Sequence, residues 1–213
     1  ANSQANYIKK VSFSKDITFI GRYTLSYMNK LEKITVDPEN ANYYSPEGSN
    51  CLIERANEND TNILIAIGNG YIPEGVEVLR NYALCDNYRL TSVTIPRSVK
   101  QMGEKTPRQD VGYNESPIRL PSLTEIHVQW TTKEELPEWL ADKFILNANK
   151  ITLYVPCGTK SIYQNAAPWN TCKAIVDGTG KCGSNLTWSI CDSVLTISGT
   201  GTMTNWSNSA SVP

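Results

Sequence analysis

The feature that most constrains this chain is a recurrence of about 23 residues. The dipeptide Ile72-Pro73 returns as Ile95-Pro96, 23 residues later. A longer alignment without gaps places residues 17–36 over residues 76–95, and apolar positions meet apolar positions throughout it. A recurrence of this length is typical of proteins built from stacked units, each of which buries its apolar face against the next.

Each copy ends in the pattern Leu-x-x-Ile/Val-x-Val/Ile, and a third copy closes at residues 123–128 after about ten extra residues within 104–117. The last four positions alternate between apolar and polar residues, which is the period of a β-strand. A single strand per copy cannot hide its own apolar side, whereas stacked copies can. We therefore expect Ile34, Val93 and Ile126 to lie side by side in one parallel sheet.

The segments between and after the copies predict further elements. "CLIE" from Cys51 and "NILIAIG" from Asn62 lie between turn-rich stretches and predict a hairpin that fills one coil position. Beyond Trp130, short helices are expected within residues 131–146 and 158–169, with the strand "KITLYVP" between them. Tyr163 and Trp169 are expected to form a lid over the open end of the stack.

From residue 178 the composition shifts to Ser, Thr, Asn and Gly. "NLTWSI" and "VLTISG" alternate on either side of "CDS" and predict a β-hairpin. The sequence thus predicts a stacked unit over residues 1–177, with its coils from about Val11 to Val176 and a cap at about 130–177. Residues 178–213 are expected to begin a following module that is truncated.

Charge and hydropathy exclude two classes of partner. The 20 basic and 21 acidic residues nearly balance, and no basic stripe is present to contact phosphates, so nucleic acid is not an expected partner. No stretch approaches the roughly 20 apolar residues of a membrane span, so this segment is not expected to insert into a membrane. No secretory signal is visible at the N-terminus, which leaves the compartment undetermined by that criterion.

The six cysteines are too few for a disulfide scaffold of this length. No Cys-x-x-Cys occurs, so neither a zinc site nor any other metal or cofactor site is predicted. Cys51 and Cys85 are interpreted as small buried thiols.

The remaining cysteines leave alternative bridges open. Cys157 and Cys172 lie in one C-terminal segment and could bridge, and Cys172 with Cys182, across "KAIVDGTGK", is a rival pair. A bridge from Cys182 to Cys191 is disfavoured, because one extended strand between them would hold them roughly 30 Å apart.

The copies resemble the BspA-like leucine-rich repeats of bacterial surface proteins, as seen in "IPEGVEVLRNYALCDNYRLTSVTIP". The segments around "CLIE", "LYVPCGTKSIYQNAAPW" and "CGSNLTWSICDSVLTISGTGTM" are similar to an interruption, a closing segment and an opening segment of such repeat blocks. Leu84 and Arg80 depart from the usual Phe and Gly. The resemblance implies an α/β, β-rich leucine-rich-repeat solenoid with short helices or 3₁₀ turns, a parallel concave sheet and a C-terminal β-hairpin extension.

Material for catalysis is scarce. His127 is the single histidine, and a Cys–His nucleophile pair would have to use it. The acidic pair Glu134-Glu135 is better explained by the first turn of a helix, and Asp110 with Glu115 forms the other acidic spot. No phosphate-binding glycine loop occurs. We therefore expect no catalytic residues and no enzymatic activity.

Binding is the favoured function. In a leucine-rich solenoid the outward strand residues form ladders on the concave face, and these ladders give the candidate ligand-binding residues. They are Lys33, Ser92 and Glu125 in one column, Thr35, Thr94 and His127 in the next, and Gln129 and Trp130 at the edge. The resemblance implies a secreted or cell-surface adhesion module for a host or bacterial protein. The alternatives are a carbohydrate-binding module, for which the tryptophans would stack on sugars, and a structural spacer in a long surface protein.

Overall fold

The structure is a computed structural model that describes residues 7–21, 24–25, 28, 30–56, 62–68, 71–85, 88–103, 117–139 and 148–204. Over these ranges the chain is β-rich, with parallel sheets and few helices. Most of the predicted insertion and the second half of the first predicted helix lie outside them. Asp110, Glu115, Trp206 and the side chain of Cys85 lie outside the described part as well.

The first two strands carry the 23-residue spacing in their register. β1 (Lys10–Phe13) pairs in parallel with β2 (Lys33–Val36), so that Lys10 lies beside Lys33 and Ser12 beside Thr35. The hydroxyls of Ser12 and Thr35, 23 residues apart, are hydrogen-bonded at 2.8 Å. After one repeat of 23 residues the chain therefore lies beside its own preceding strand, as expected for a stacked coil.

An antiparallel unit follows, as the two apolar segments predicted. Its strands are β3 (Tyr43–Tyr44), β4 (Cys51–Glu54) and β5 (Ile63–Ile67). β4 pairs antiparallel with both of its neighbours, with an irregularity between Leu52 and Ile53. The predicted hairpin is therefore confirmed.

Two stacked coils come next. The first contains β6 (Val78–Leu79), β7 (Leu84–Cys85) and β8 (Ser92–Ile95), and the second contains β9 (Gln101–Met102), β10 (Ile118–Arg119) and β11 (Glu125–Val128). Each strand of the first coil pairs in parallel with its counterpart in the second. β5 also pairs in parallel with β6, which places the hairpin at the edge of this stack.

The cap contains β12 (Glu138–Trp139), β13 (Thr152–Tyr154), helix α1 (Lys160–Gln164) and β14 (Ala174–Val176), with 3₁₀ turns at Lys133–Glu135, Ala148–Lys150 and Trp169–Thr171. The short helix expected within residues 131–146 is not α-helical over its described part, 131–139. The chain makes one 3₁₀ turn there, and β12 then pairs in parallel with β9, because Trp139 packs against the core beside Met102. The second predicted helix is confirmed as α1.

Two separate cores divide the molecule. The larger one contains Val93, Ile126 and Trp130, whereas Ile34 belongs to a smaller N-terminal cluster. The β4–β5 hairpin forms the wall between them: Ile53 faces the larger core, and Leu52 faces the smaller one. The prediction that Ile34 shares a sheet with Val93 and Ile126 is therefore wrong, although Val93 and Ile126 are direct register partners.

The C-terminal strands form an antiparallel sheet of β15 (Thr179–Lys181), β16 (Leu186–Cys191) and β17 (Val194–Gly199). Asp192 and Ser193 connect β16 to β17 with φ angles of 51° and 63°. Positive φ at both central residues matches the right-handed twist of a two-residue hairpin. The predicted hairpin thus gains a third strand.

A disulfide joins Cys157 to Cys191, with their Cα atoms 5.6 Å apart. The predicted pairings of Cys172 with Cys157 and with Cys182 are wrong, because Cys172 and Cys182 carry free thiols. The reversal of chain direction between β15 and β16 explains the observed bond. It returns Ile190 to Gly178, whose carbonyl accepts the Ile190 N–H at 2.7 Å, and so brings Cys191 to the loop that follows β13.

Candidate ligand-binding surface

The front sheet, formed by β8, β11, β13 and β14, carries four of the eight predicted site residues, namely Ser92, Thr94, Glu125 and His127. Its strands alternate strictly, since successive side chains of a strand point to opposite faces. Val93, Ile126 and Leu153 are fully buried beneath it, and neighbouring positions face outward. Packing on the inner side therefore fixes the outward side chains in two rows.

The register of the strands defines these rows. Ser92, Glu125, Thr152 and Ala174 are successive partners in the first row, and Thr94, His127, Tyr154 and Val176 are successive partners in the second. Tyr71 extends the second row, because it forms a parallel bridge with Thr94. The predicted pairs Ser92–Glu125 and Thr94–His127 are correct, whereas the predicted neighbours Lys33 and Thr35 lie on another sheet, and the role of all these residues in binding stays a prediction.

His127 and Tyr154 form a stacked aromatic pair on the outward face of the front sheet. Their rings are stacked with centroids 4.5 Å apart and planes inclined by 6°. The His127 Nε2 atom lies 3.6 Å from the Glu125 Oε2 atom, and the two side chains are 41% and 45% exposed. A partly exposed aromatic pair beside an accessible carboxylate offers both an apolar face and a hydrogen-bond acceptor to a ligand.

The rim of the front sheet is held by local contacts. Gln129 is exposed, and its side-chain oxygen accepts a hydrogen bond from the Arg97 backbone N–H at 3.2 Å. The Arg97 guanidinium forms an ion pair with Glu135. Gln129 therefore connects the end of β11 to the end of β8. The charge of Arg97, at the same rim, is paired with Glu135.

Trp130 does not belong to this surface. Its side chain is fully buried, its indole N–H donates to the Val99 carbonyl at 3.0 Å, and it packs on Trp169 with ring centroids 5.6 Å apart. The prediction that Trp130 contributes to the exposed edge is wrong. Because Trp130 follows Ile126 and Val128 at intervals of two residues, it continues the inward-facing series.

Lys33 and Thr35 lie on the separate β1–β2 sheet, so they do not extend the two rows. They line a cleft between β2 and the loop that contains Ser45, Pro46 and Glu47. Lys33 and Thr35 therefore belong to a cleft that is separate from the front sheet.

Sequence reasoning missed Tyr71 and Tyr154. Tyr154 carried a usable signal: it belongs to the predicted strand "KITLYVP" and alternates with buried Leu153, so the ladder could have been extended to it. Tyr71 carried no such signal, because it joins the second row through an isolated bridge outside any strand. Its side chain is 53% exposed.

Two of the described thiols, those of Cys51 and Cys172, are poor nucleophiles. Burial raises the pKa of Cys51 to about 12 and that of Cys172 to about 11, so both stay protonated at neutral pH. Across the described ranges, no group of three or more metal-ligating side chains comes together.

Among the helices that the structure describes, none has the length and apolar character needed to cross a membrane.

Comparison with known proteins gives two weak structural likenesses. No family model matches the chain, and no curated protein matches it. A leucine-rich cell surface protein from Faecalibacterium prausnitzii A2-165 is similar over 79% of this chain and 47% of its own, with 16% identity and a TM-score of 0.46. The pneumococcal vaccine antigen PcpA is similar over 80% of this chain and 56% of its own, with 13% identity and a TM-score of 0.38.

The chain thus spans about half the length of these two solved structures. Both TM-scores lie below 0.5, so the likenesses do not establish a common function. Nothing in the comparisons is specific to the BspA-like family.

Proposed function

We propose that this chain is a non-enzymatic binding module of a bacterial cell-surface or secreted protein, that it belongs to the BspA-like leucine-rich-repeat solenoids, and that it recognises a host or bacterial protein. The parallel pairing of successive coils supports the solenoid. The observation that carries the binding role is the partly exposed His127–Tyr154 stack beside Glu125 on the front sheet. Aromatic residues are enriched where proteins meet partners, particularly on rigid supports.

The surface suits a protein ligand for a physical reason. Three of the four strands that carry the rows, β8, β11 and β13, have buried inner residues, so a partner that binds them has little backbone to order. Tyr71 and Val176, at the two ends of the second row, are 53% and 37% exposed and add apolar area. The burial of Trp130 removes the residue on which the carbohydrate alternative most depended.

Binding to immobilised fibronectin, laminin, fibrinogen and collagen, measured by surface plasmon resonance, tests the proposal. We expect the wild type to bind at least one of these proteins. Tyr154→Ala and His127→Ala should weaken that binding about tenfold or more, as truncation of a central interface residue does. Glu134→Ala, on an exposed 3₁₀ turn outside the two rows, serves as the matched surface control.

Each variant is first shown to be folded by circular dichroism. Binding that Tyr154→Ala and His127→Ala leave unchanged would place the ligand elsewhere and contradict the proposal. A glycan array separates the carbohydrate alternative: a signal there that Tyr154→Ala removes, with no binding to any matrix protein, would replace a protein ligand by a sugar. Silence in both assays would favour a structural spacer.

A further inference from the structure

We propose that Glu125, His127 and Tyr154 together form a receptor for one arginine side chain of the protein ligand, an inference that rests on the proposed function. The carboxylate would accept two N–H groups of the guanidinium, and the guanidinium would lie against the stacked rings. Arginine is the residue whose planar, permanently charged head can make both contacts at once.

The charge of the surface favours a cation. Across the nine described side chains of the two rows, Glu125 is the single carboxylate and no lysine or arginine occurs. The basic group at the rim, Arg97, is paired with Glu135. A cationic ligand therefore meets one carboxylate and no lysine or arginine within the rows.

Glu125 is free to take a stronger partner. Its contact with His127, at 3.6 Å, is longer than a hydrogen bond, so it does not occupy the carboxylate oxygens in the way a bound donor would. Because the Glu125 side chain is 45% exposed, a ligand can reach it without any movement of the sheet.

The rings select arginine over lysine. Glu125 Oε2 lies 3.6 Å from Nε2 of the His127 imidazole, and that ring is stacked on Tyr154, so a guanidinium that pairs with Glu125 can also lie against the aromatic pair. Planar guanidinium groups stack on aromatic rings, whereas an ammonium binds the carboxylate as a point charge. The uncharged isostere citrulline keeps the shape but loses the charge, which makes it the matched ligand control.

The test uses the single histidine of the chain as a reporter. The peptides acetyl-Gly-Arg-Gly-amide, its lysine analogue and its citrulline analogue are titrated into the full chain, and the ring signals of His127 are followed by NMR. We expect a saturable shift with the arginine peptide. The citrulline peptide should bind about five- to tenfold more weakly, which matches the loss of one exposed ion pair and one cation–π contact.

The protein variants separate the two contributions. Glu125→Gln, which keeps the shape of the side chain, should weaken the arginine peptide about five- to tenfold, while Glu134→Gln should leave it unchanged. Tyr154→Leu should reduce the preference for arginine over lysine, because the ring pair is lost. Equal binding of the arginine and citrulline peptides, a response that does not saturate, or full binding by Glu125→Gln would each overturn the inference.

Failure here can be distinguished from failure of the proposed function. If a matrix protein binds wild type and is lost in His127→Ala while the arginine peptide gives no saturable shift, the arginine receptor is wrong and the protein-binding surface stands. If the peptide saturates with the expected Glu125 dependence while no matrix protein binds, the receptor stands and the proposed ligand class must be replaced.

Discussion

The side chain of Asn50 takes the place of a missing strand beside Ile34. The Ile34 backbone N–H donates to Asn50 Oδ1 at 3.1 Å, and the Asn50 amide donates in turn to the carbonyl of Glu32. The backbone carbonyl of Asn50 also accepts the Gly68 N–H at 2.7 Å. One residue thus closes the edge of β2 and links it to the end of the β4–β5 hairpin.

Asn50→Ala is expected to destabilise the chain by about 1–3 kcal/mol, because it removes both side-chain hydrogen bonds to β2. Asn50 also has a φ of 53°, which asparagine and glycine tolerate better than alanine. Asn50→Gly removes the same hydrogen bonds without that strain, so it should be less damaging than Asn50→Ala. Urea denaturation measures both.

Glu47→Ala in the same exposed loop is the control and should change the free energy of unfolding by less than about 0.5 kcal/mol. If Asn50→Ala unfolds at the same urea concentration as wild type, the edge of β2 does not depend on this side chain.

The Cys157–Cys191 disulfide should stabilise the attachment of the C-terminal sheet. It closes a segment with a sequence separation of 34, and loop-closure entropy predicts a contribution of about 3–4 kcal/mol. Replacing both cysteines by serine should therefore lower the free energy of unfolding by up to that amount. Peptide mapping without reduction should recover one linked pair that contains residues 157 and 191.

Cys172→Ala is the matched control, since Cys172 is a free thiol in the same region, and it should leave the linked pair intact. Recovery of a peptide that links residue 172 to either 157 or 182 would show that the observed pairing is wrong.

The alternating strands were predictable because successive side chains of a β-strand point to opposite faces, so every second residue is buried. Val93 and Ile126 are buried register partners, and Glu125 and His127 face outward between buried neighbours, as the pattern requires. The same rule, applied two residues further, places Trp130 inside, and applied to the next strand it places Tyr154 outside. The positions of Trp130 and Tyr154 therefore follow from the same alternation.

Other features depend on long-range packing that no local pattern contains. The apolar run Cys51–Ile53 is buried on both sides because it separates two cores, but a run of three residues does not reveal what lies on either side. The bond between Cys157 and Cys191 likewise depends on where β16 returns after its turn. Sequence spacing alone cannot supply that distance.

The hydroxyl of Tyr163 should make a measurable contribution to the cap. It donates to the Trp130 carbonyl at 2.6 Å, and both residues are fully buried. Tyr163→Phe keeps the ring but leaves that carbonyl without its donor, so we expect a loss of about 1–3 kcal/mol in the free energy of unfolding. Tyr7→Phe, which removes a hydroxyl from a ring that is 72% exposed, should cost almost nothing. Equal stabilities of the two variants would contradict this role.

Glu135 should make the stability of the chain sensitive to acid. Its carboxylate accepts the Thr131 N–H at 2.8 Å and pairs with Arg97, and these contacts lower its pKa from 4.5 to about 2. Because the pKa is lower in the folded chain, the contribution is fully present above pH 4.5 and is lost as the pH falls through about 2. The midpoint of urea denaturation should therefore differ most between wild type and Glu135→Gln near pH 6, and the difference should shrink as the pH approaches 2.

Glu134→Gln controls for loss of one negative charge in the same turn and should show a smaller difference at pH 6. A gap between wild type and Glu135→Gln that stays constant or widens in acid would mean that the carboxylate does not hold this turn through its ionised form.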